Sequence, residues 1–227
     1  MSASATIEPV LPVSAGYDPS HSKVGIVHIG PGAFHRAHQA VYTDDVLARH
    51  GGDWRILGVS LRSGATAQDL NAQDGRYTLV IRPDQPDMAS EYRIIGSIAS
   101  VLSAQKGIDP ILAALILPET RIVSLTVTEK AYSVSATTEL LDLNDPQIAA
   151  DLANPDAPTS AIGLITRALN LRFQSGRAPF SVMSCDNLPD NGRLVRAGVI
   201  GFAQLVDSAL AYWIEGNVSF PSTMVDR

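Results

Sequence analysis

From Lys23 to His38 the chain reads KVGIVHIGPGAFHRAH, an apolar run that breaks at a glycine pair and restarts with helical spacing. Val24, Ile26, Val27 and Ile29 are mostly β-branched, with no proline and little charge among them, the pattern of a strand buried on both faces of a parallel sheet. Gly30, Pro31 and Gly32 then force a tight turn in which no Cβ blocks the approach of a ligand. From Ala33 on, the spacing of Phe34, Ala37, Ala40, Val41 and Leu47 predicts an amphipathic helix whose free N–H groups face that turn, ready for a phosphate. His50-Gly51-Gly52-Asp53 stops the helix, and Trp54 to Leu61 reads as a second buried strand, completing a βαβ unit.

The same pattern continues downstream. A short helix is expected over Ala65 to Ala72. Strands over Tyr77 to Ile81 and Glu91 to Ile98, joined by a turn-rich loop at Pro83 to Pro86, read as an inserted hairpin. A helix over Ile108 to Leu117 carries Pro110 in its first turn, and Thr120 to Glu129 is the next buried strand. Leu141 to Pro158 is a polar excursion with a short helix at Pro146 to Leu152. Thr159 to Ser175 is an amphipathic helix, capped by Thr159 or Ser160 and stopped by Gly176. A strand over Phe180 to Ser184, a long helix over Asn191 to Ile214 and an apolar tail from Val218 complete the chain. The expected fold is α/β, a doubly wound, mostly parallel Rossmann-type sheet with an inserted β-hairpin. Residues 23–227 form this domain, preceded by an N-terminal arm, residues 1–22, in which Pro9, Pro12 and Pro19 interrupt any regular element.

Composition narrows the function classes. With 45% hydrophobic and 18% charged residues, the 227-residue chain has the make-up of a globular domain with ample core. A net charge of −6, with no basic cluster, argues against a nucleic-acid partner. No uninterrupted apolar stretch reaches membrane-span length, so no membrane partner is expected. The N-terminus lacks the pattern of a secretory signal, and a cytoplasmic location is the expectation. The single cysteine, Cys185, cannot form an internal disulfide and reads as a small buried hydrophobe rather than a nucleophile.

Three places carry candidate chemistry. The glycine turn is a partial dinucleotide fingerprint, because His35 stands where a third glycine or alanine belongs, and a lone Gly-x-Gly is often only a turn. At the end of the second strand, Ser60-Leu61-Arg62-Ser63-Gly64 offers no carboxylate for an adenosine ribose. Arg62 there either favours a 2′-phosphate or is a solvated loop cation; both readings stand. Lys130 is a candidate base by type, with a surface lysine the plainer reading. Asn187 follows the last strand, where a neutral amide can donate to a carbonyl oxygen becoming an alkoxide; by type alone it is a turn former.

Seven ordered segments, GIVHIGPGAFHRAHQAVYTDD (25–45), ILGVSLRS (56–63), QDGRYTLV (73–80), RIVSLTVTEKAY (121–132), DLANPDAPTSAIGLI (151–165), SCDNLPDNG (184–192) and FPSTMVDR (220–227), together resemble the mannitol dehydrogenase family of polyol-specific long-chain dehydrogenases, which also holds fructuronate and tagaturonate oxidoreductases. The resemblance implies an N-terminal dinucleotide-binding domain followed by a helical substrate domain. It also implies interconversion of a secondary alcohol and a ketone with NAD, in some members NADP, and no metal. On this basis Gly30, Gly32, Ala33 and Phe34 lie against the cofactor pyrophosphate, Ser60 to Ser63 with Arg62 approach the adenosine ribose, and Thr128 and Glu129 flank the nicotinamide. Asn187 corresponds to an oxyanion-hole asparagine and Asp226 to an aspartate beside the substrate hydroxyls.

The family's catalytic lysine belongs to a motif that does not occur here, and Lys23, Lys106 and Lys130 do not match it. Without a base to take the alcohol proton the mechanism is incomplete. The chain is therefore expected to be the cofactor-binding portion of a longer enzyme acting on a polyol or hexuronate, with the helical domain of the same enzyme as its partner. A self-standing nucleotide-binding module is the alternative, against which the apolar tail Val218, Phe220, Pro221, Met224 and Val225 argues. A hydrolase-like reading fails for lack of a Gly-x-Ser-x-Gly elbow.

Overall fold

A computed structural model describes residues 16–83, 89–135 and 138–224. In chain order its elements are β1 (Val24–Ile29), α1 (Ala33–Ala37), α2 (Gln39–His50), β2 (Arg55–Ser60), α3 (Ala65–Asn71), β3 (Tyr77–Ile81), β4 (Glu91–Ile95), β5 (Ile98–Ser103), α4 (Asp109–Leu115), β6 (Ile122–Leu125), α5 (Pro146–Ala153), α6 (Ala161–Gln174), β7 (Ser181–Ser184), α7 (Asn191–Val206) and α8 (Ser208–Asn217). Five of the strands form one parallel sheet in the order β5-β2-β1-β6-β7, and β3 and β4 pair antiparallel by themselves. This is the doubly wound Rossmann-type sheet with its inserted hairpin. The order reverses at β1, so the crevice at the carboxyl ends of the strands opens there.

The central strands are buried on both faces because helices cover both, and most of their side chains are apolar. Val27, Ile29, Val59, Val123, Leu125 and Val182 face a large core filled by α4, α6, α7 and α8. Ile26, Ile56, Ile98 and Val101 face a smaller one closed by Ala40 of α2 and Ala67 and Leu70 of α3.

Three expectations need correction. The expected strand Glu91 to Ile98 is two strands. Asp44, fully buried on α2, accepts from the Gly96 amide at 2.9 Å and from Arg93 at 2.7 Å, while the Ser97 hydroxyl donates to Ala40 O at 2.6 Å. The chain kinks at that point, and β5 leaves the hairpin to become an edge of the parallel sheet. The helix expected after the glycine turn is also two, because His38 (φ −123°, ψ −96°) separates α1 from α2. The long helix expected to Ile214 breaks at Asp207, whose carboxylate caps α8 by accepting from the amides of Ala209 and Leu210. The same Asp44 also accepts from the Tyr17 hydroxyl at 2.7 Å, which ties the segment before β1 to α2.

One buried arginine fastens the far side of the sheet. Arg172 of α6 is 2% exposed, and its guanidinium donates to the carbonyls of Leu115 (3.0 Å), Leu117 (2.5 Å), Thr120 (2.8 Å) and Ala178 (2.7 Å). These carbonyls belong to the end of α4, the lead into β6 and the lead into β7, so a single side chain sets where two strands begin. Replacing it by methionine keeps the apolar stem but takes the guanidinium donors from four carbonyls, those of Leu115 and Thr120 in buried bonds. Arg172→Met is expected to cost about 3 kcal/mol or more of stability, lowering Tm by roughly 6–12 °C for a chain of this size. A thermal melt within about 2 °C of wild type would contradict this role.

Candidate functional site

Parallel register aligns the strand ends. Ile29 pairs with Val59 on one side and Leu125 on the other, and Leu125 pairs with Ser184. The ladder runs one step beyond the strands, as Gly30 N donates to Val59 O, Thr126 N to Ile29 O and Cys185 N to Leu125 O, at 2.8–2.9 Å. The turns after β1, β6 and β7 therefore start along one line.

Gly30 is glycine for two reasons. Its φ is 94°, in the left-handed region, and a Cβ there would be driven into the carbonyl of Thr126. Gly32 differs: its φ is −74°, and the nearest atom to a Cβ would be Gly30 O at 3.9 Å. No packing within the protein forbids a side chain at residue 32, so its absence keeps the space above the turn open. Arg36 donates to Pro31 O at 2.8 Å and clips the turn from the helix side.

The open space is a cleft of about 350 Å³ between the glycine turn, the end of β2, the end of β6 and the start of α6. Of the residues expected to meet a cofactor, Gly30, Gly32, Ser60 and Arg62 form its walls. Ala33 and the 42%-exposed Phe34 continue the rim into α1. Thr128 and Asn187 are exposed farther along the same sheet edge, outside the cleft walls, and Glu129 opens the short 3-10 helix Glu129–Tyr132. Asp226 lies outside the described residues. Among the cleft-wall residues Arg62 carries the sole charge and there is no carboxylate. The Ser60 hydroxyl donates to Ser63 O at 2.5 Å and Gln105 donates to Arg62 O at 3.0 Å, so the backbone of that loop is held while the arginine head stays exposed.

Sequence reasoning missed the opposite wall, Thr159, Ser160 and Ala161 at the start of α6. Asp151, 1% exposed on α5, accepts from the amides and hydroxyls of both Thr159 and Ser160 at 2.6–2.9 Å. The Ser160 hydroxyl in turn accepts from Gly163 N. Asp-x7-Thr-Ser before an apolar helix is a readable capping signal in retrospect.

Beneath the glycine turn lies a buried polar cluster. His28 of β1, fully buried, sets Nδ1 2.8 Å from Ser124 Oγ and Nε2 2.9 Å from Thr126 Oγ1; Thr126 donates to Gly30 O at 2.7 Å and Ser124 to Gln39 Oε1 at 2.9 Å. The His35 ring stacks on it at 3.5 Å between centroids. Burial lowers the His28 pKa to about 3 and lowers that of His35 in the same sense, so both rings are neutral at working pH. Cys185 is 3% exposed and its thiol is pushed up to about 11 by burial, an inert small residue as expected.

The comparisons with known proteins bear on what this cleft is. The family model described as "Mannitol dehydrogenase Rossmann domain" matches residues 24–227. The chain belongs to this family. It is 47% identical over 222 residues to D-mannonate oxidoreductase of Escherichia coli, covering 96% of this chain and 45% of that one. It is 41% identical to polyol:NADP oxidoreductase of Gluconobacter oxydans, covering 93% and 44%. Among solved structures, the ternary complex of Pseudomonas fluorescens mannitol 2-dehydrogenase with NAD and D-mannitol superposes with a TM-score of 0.89 at 43% identity, covering 95% and 44%. The chain thus spans less than half the length of the relatives it matches.

The histidine cluster sets a pH dependence. Unfolded histidine titrates near 6.5 and native His28 near 3, so between these values the unfolded chain binds a proton that the native chain refuses. Stability is full above pH 6.5 and falls as pH drops, by about 1.4 kcal/mol per pH unit for His28, with His35 acting in the same direction. Urea midpoints measured between pH 7 and 4.5 are expected to fall accordingly, and less steeply in His28→Gln; a midpoint flat across that range would contradict the buried neutral pair.

Proposed function

We propose that this chain is the cofactor-binding portion of an NAD(H)-dependent oxidoreductase that interconverts a secondary alcohol and a ketone on a sugar alcohol or aldonate, of the mannitol/fructose or mannonate/fructuronate kind. The observation that carries the reading is the cleft at the reversal point of the sheet. Its floor is a glycine turn whose second glycine has no packing reason to lack a side chain. A backbone cradle that a Cβ would fill fits a pyrophosphate. Family membership supports the reaction class, since relatives act, by their names, on mannonate, polyols and mannitol.

In this reading Gly30 and Gly32, with Ala33 and Phe34, hold the pyrophosphate by backbone contact. Ser60 and Arg62 meet the adenosine ribose. The dinucleotide then crosses β1, so its other half lies over β6 and β7, beside Thr128 and Glu129. The cofactor, when bound, accepts or gives the hydride; the chain's part is to bind and orient it. Asn187, on the turn after β7, donates to the substrate oxygen as it takes on charge, and Asp226 meets substrate hydroxyls. The proton acceptor comes from the remainder of the enzyme. Lys23 precedes β1 at the opposite edge of the sheet, and Lys106 follows β5, the strand farthest from β7.

The relatives' extra length also finds a place. An apolar groove of about 370 Å³, lined by Ile26, Tyr42, Val46, Trp54 and Met183, opens on the α2 face of the sheet. Tyr42, Val46 and Met224 are exposed there or nearby in sequence to its Thr223 wall. This surface suits the helical domain of the same enzyme.

NAD(H) is the proposed cofactor, with Arg62 admitting NADP(H) because no carboxylate in the cleft wall opposes a 2′-phosphate. Titrating nicotinamide fluorescence should show saturable binding of both NADH and NADPH. Arg62→Ala should weaken NADPH about tenfold, or about 1.4 kcal/mol, and leave NADH unchanged. The 227-residue chain should not oxidise mannitol or mannonate. No saturable binding of either dinucleotide by the folded chain contradicts the cofactor reading, an unchanged NADPH affinity contradicts the role of Arg62, and turnover by the chain alone contradicts the missing base.

A further inference from the structure

Asp186, between Cys185 and Asn187, holds together the two strand ends nearest the proposed nicotinamide site. Its carboxylate reaches back from the end of β7 to the turn after β6, where it accepts from the amides of Val127 and Thr128, each at 3.1 Å, and from the Tyr132 hydroxyl at 2.6 Å. Tyr132 is 1% exposed and also lies 2.5 Å from Ser184 Oγ. Burial, and then the charge of Asp186, raise the tyrosine's pKa well above its ordinary value, so it remains a donor across the working range.

Thr128 is the strained member of this arrangement. It sits at φ 75°, ψ 155°, a conformation that is essentially glycine's and strained for a threonine. Such a conformation persists only where neighbours over-determine it, and here the Asp186 carboxylate holds the Thr128 amide while Ala131 N donates to its carbonyl at 3.0 Å. Two consecutive N–H groups converging on one anion form a concavity that would bind a phosphate if it were empty. Asp186 fills it, which leaves the glycine turn as the place for the pyrophosphate.

The backbone of Asp186 also organises its own turn. Its carbonyl accepts from Leu188 N at 2.9 Å and from Asn191 Nδ2 at 2.8 Å, and Asn191, fully buried, also bonds the backbone of Thr223 through both ends of its amide. Asn187 stands within the turn so closed.

We infer that Asp186 is a positioning residue: without touching cofactor, it uses its bonds to Val127 and Thr128 to set the surface on which the nicotinamide half of the dinucleotide lies. This rests on the cofactor reading above, in which the adenosine half lies at β2 and the nicotinamide half over β6 and β7. A role of this kind predicts a loss confined to one half of the cofactor, whereas a merely structural role predicts a general loss.

The test measures NADH and ADP-ribose, which lacks the nicotinamide, against wild type, Asp186→Ala and Asp186→Asn by calorimetry. Asp186→Ala should weaken NADH about tenfold and leave ADP-ribose within about twofold, with Asp186→Asn between, since an amide can accept only on one side. Adding Thr128→Gly to Asp186→Ala should restore part of the NADH affinity, because glycine adopts the same backbone without the clamp. Equal losses of both ligands, or NADH affinity unchanged in Asp186→Ala, overturn the positioning role while leaving the cofactor reading intact. Wild type that binds neither ligand overturns that reading and this inference with it.

Discussion

A side chain on residue 30 and the carbonyl of Thr126 would claim the same space, and the cleft depends on that close approach. Because residue 30 is glycine with a positive φ, β1 and β6 stay paired to their last residues and both turn at the same level. The cavity between the two halves of the sheet follows from this meeting, as does the alignment of the turns after β1, β6 and β7. Gly32 adds openness without constraint, and Arg36 fixes the turn from behind.

The layers below and beside the turn divide the electrostatic work. Beneath it, His28, Ser124, Thr126 and Gln39 satisfy one another while His28 and His35 stay neutral, so the floor adds no charge to compete with a phosphate. The pH-dependent part of the cost of burying these neutral rings appears only where an unfolded histidine would be protonated. Beside it, three carboxylates are enclosed by donors: the buried Asp44 by Tyr17, Arg93 and Gly96, the buried Asp151 by Thr159 and Ser160, and the half-buried Asp186 by Val127, Thr128 and Tyr132. None of them faces the cleft wall, where Arg62 is the charged residue.

Much of this was legible in the sequence because strands buried on both faces read as largely apolar runs, and β1, β2 and β6 announce themselves that way. The glycine turn was legible for the same local reason. β5 was not, because the kink that releases it from the hairpin is made by Asp44 from far away in the chain. The break at His38 has no sequence signal of comparable strength, whereas Asp207-Ser208 is a cap that reads plainly once the end of α7 is known. Around the cleft, Gly30, Gly32, Ser60 and Arg62 were readable as candidate walls, while the α6 wall and the contacts of Asp186 were not, because their placement depends on hydrogen bonds across distant segments. The family resemblance supplied Asn187 and Asp226, which composition and periodicity alone would leave as turn and tail residues.

In the proposed reading a dinucleotide lies across the carboxyl ends of β2, β1 and β6 with its pyrophosphate on the glycine turn. The most direct measurement is an amide NMR titration of the 15N-labelled chain with NADH. Saturable shifts are expected at Gly30, Gly32 to Phe34, Ser60 to Ser63 and Thr126 to Thr128. Saturable shifts confined to the α2 groove around Tyr42 and Val46, or none at Gly30 and Gly32, would contradict it.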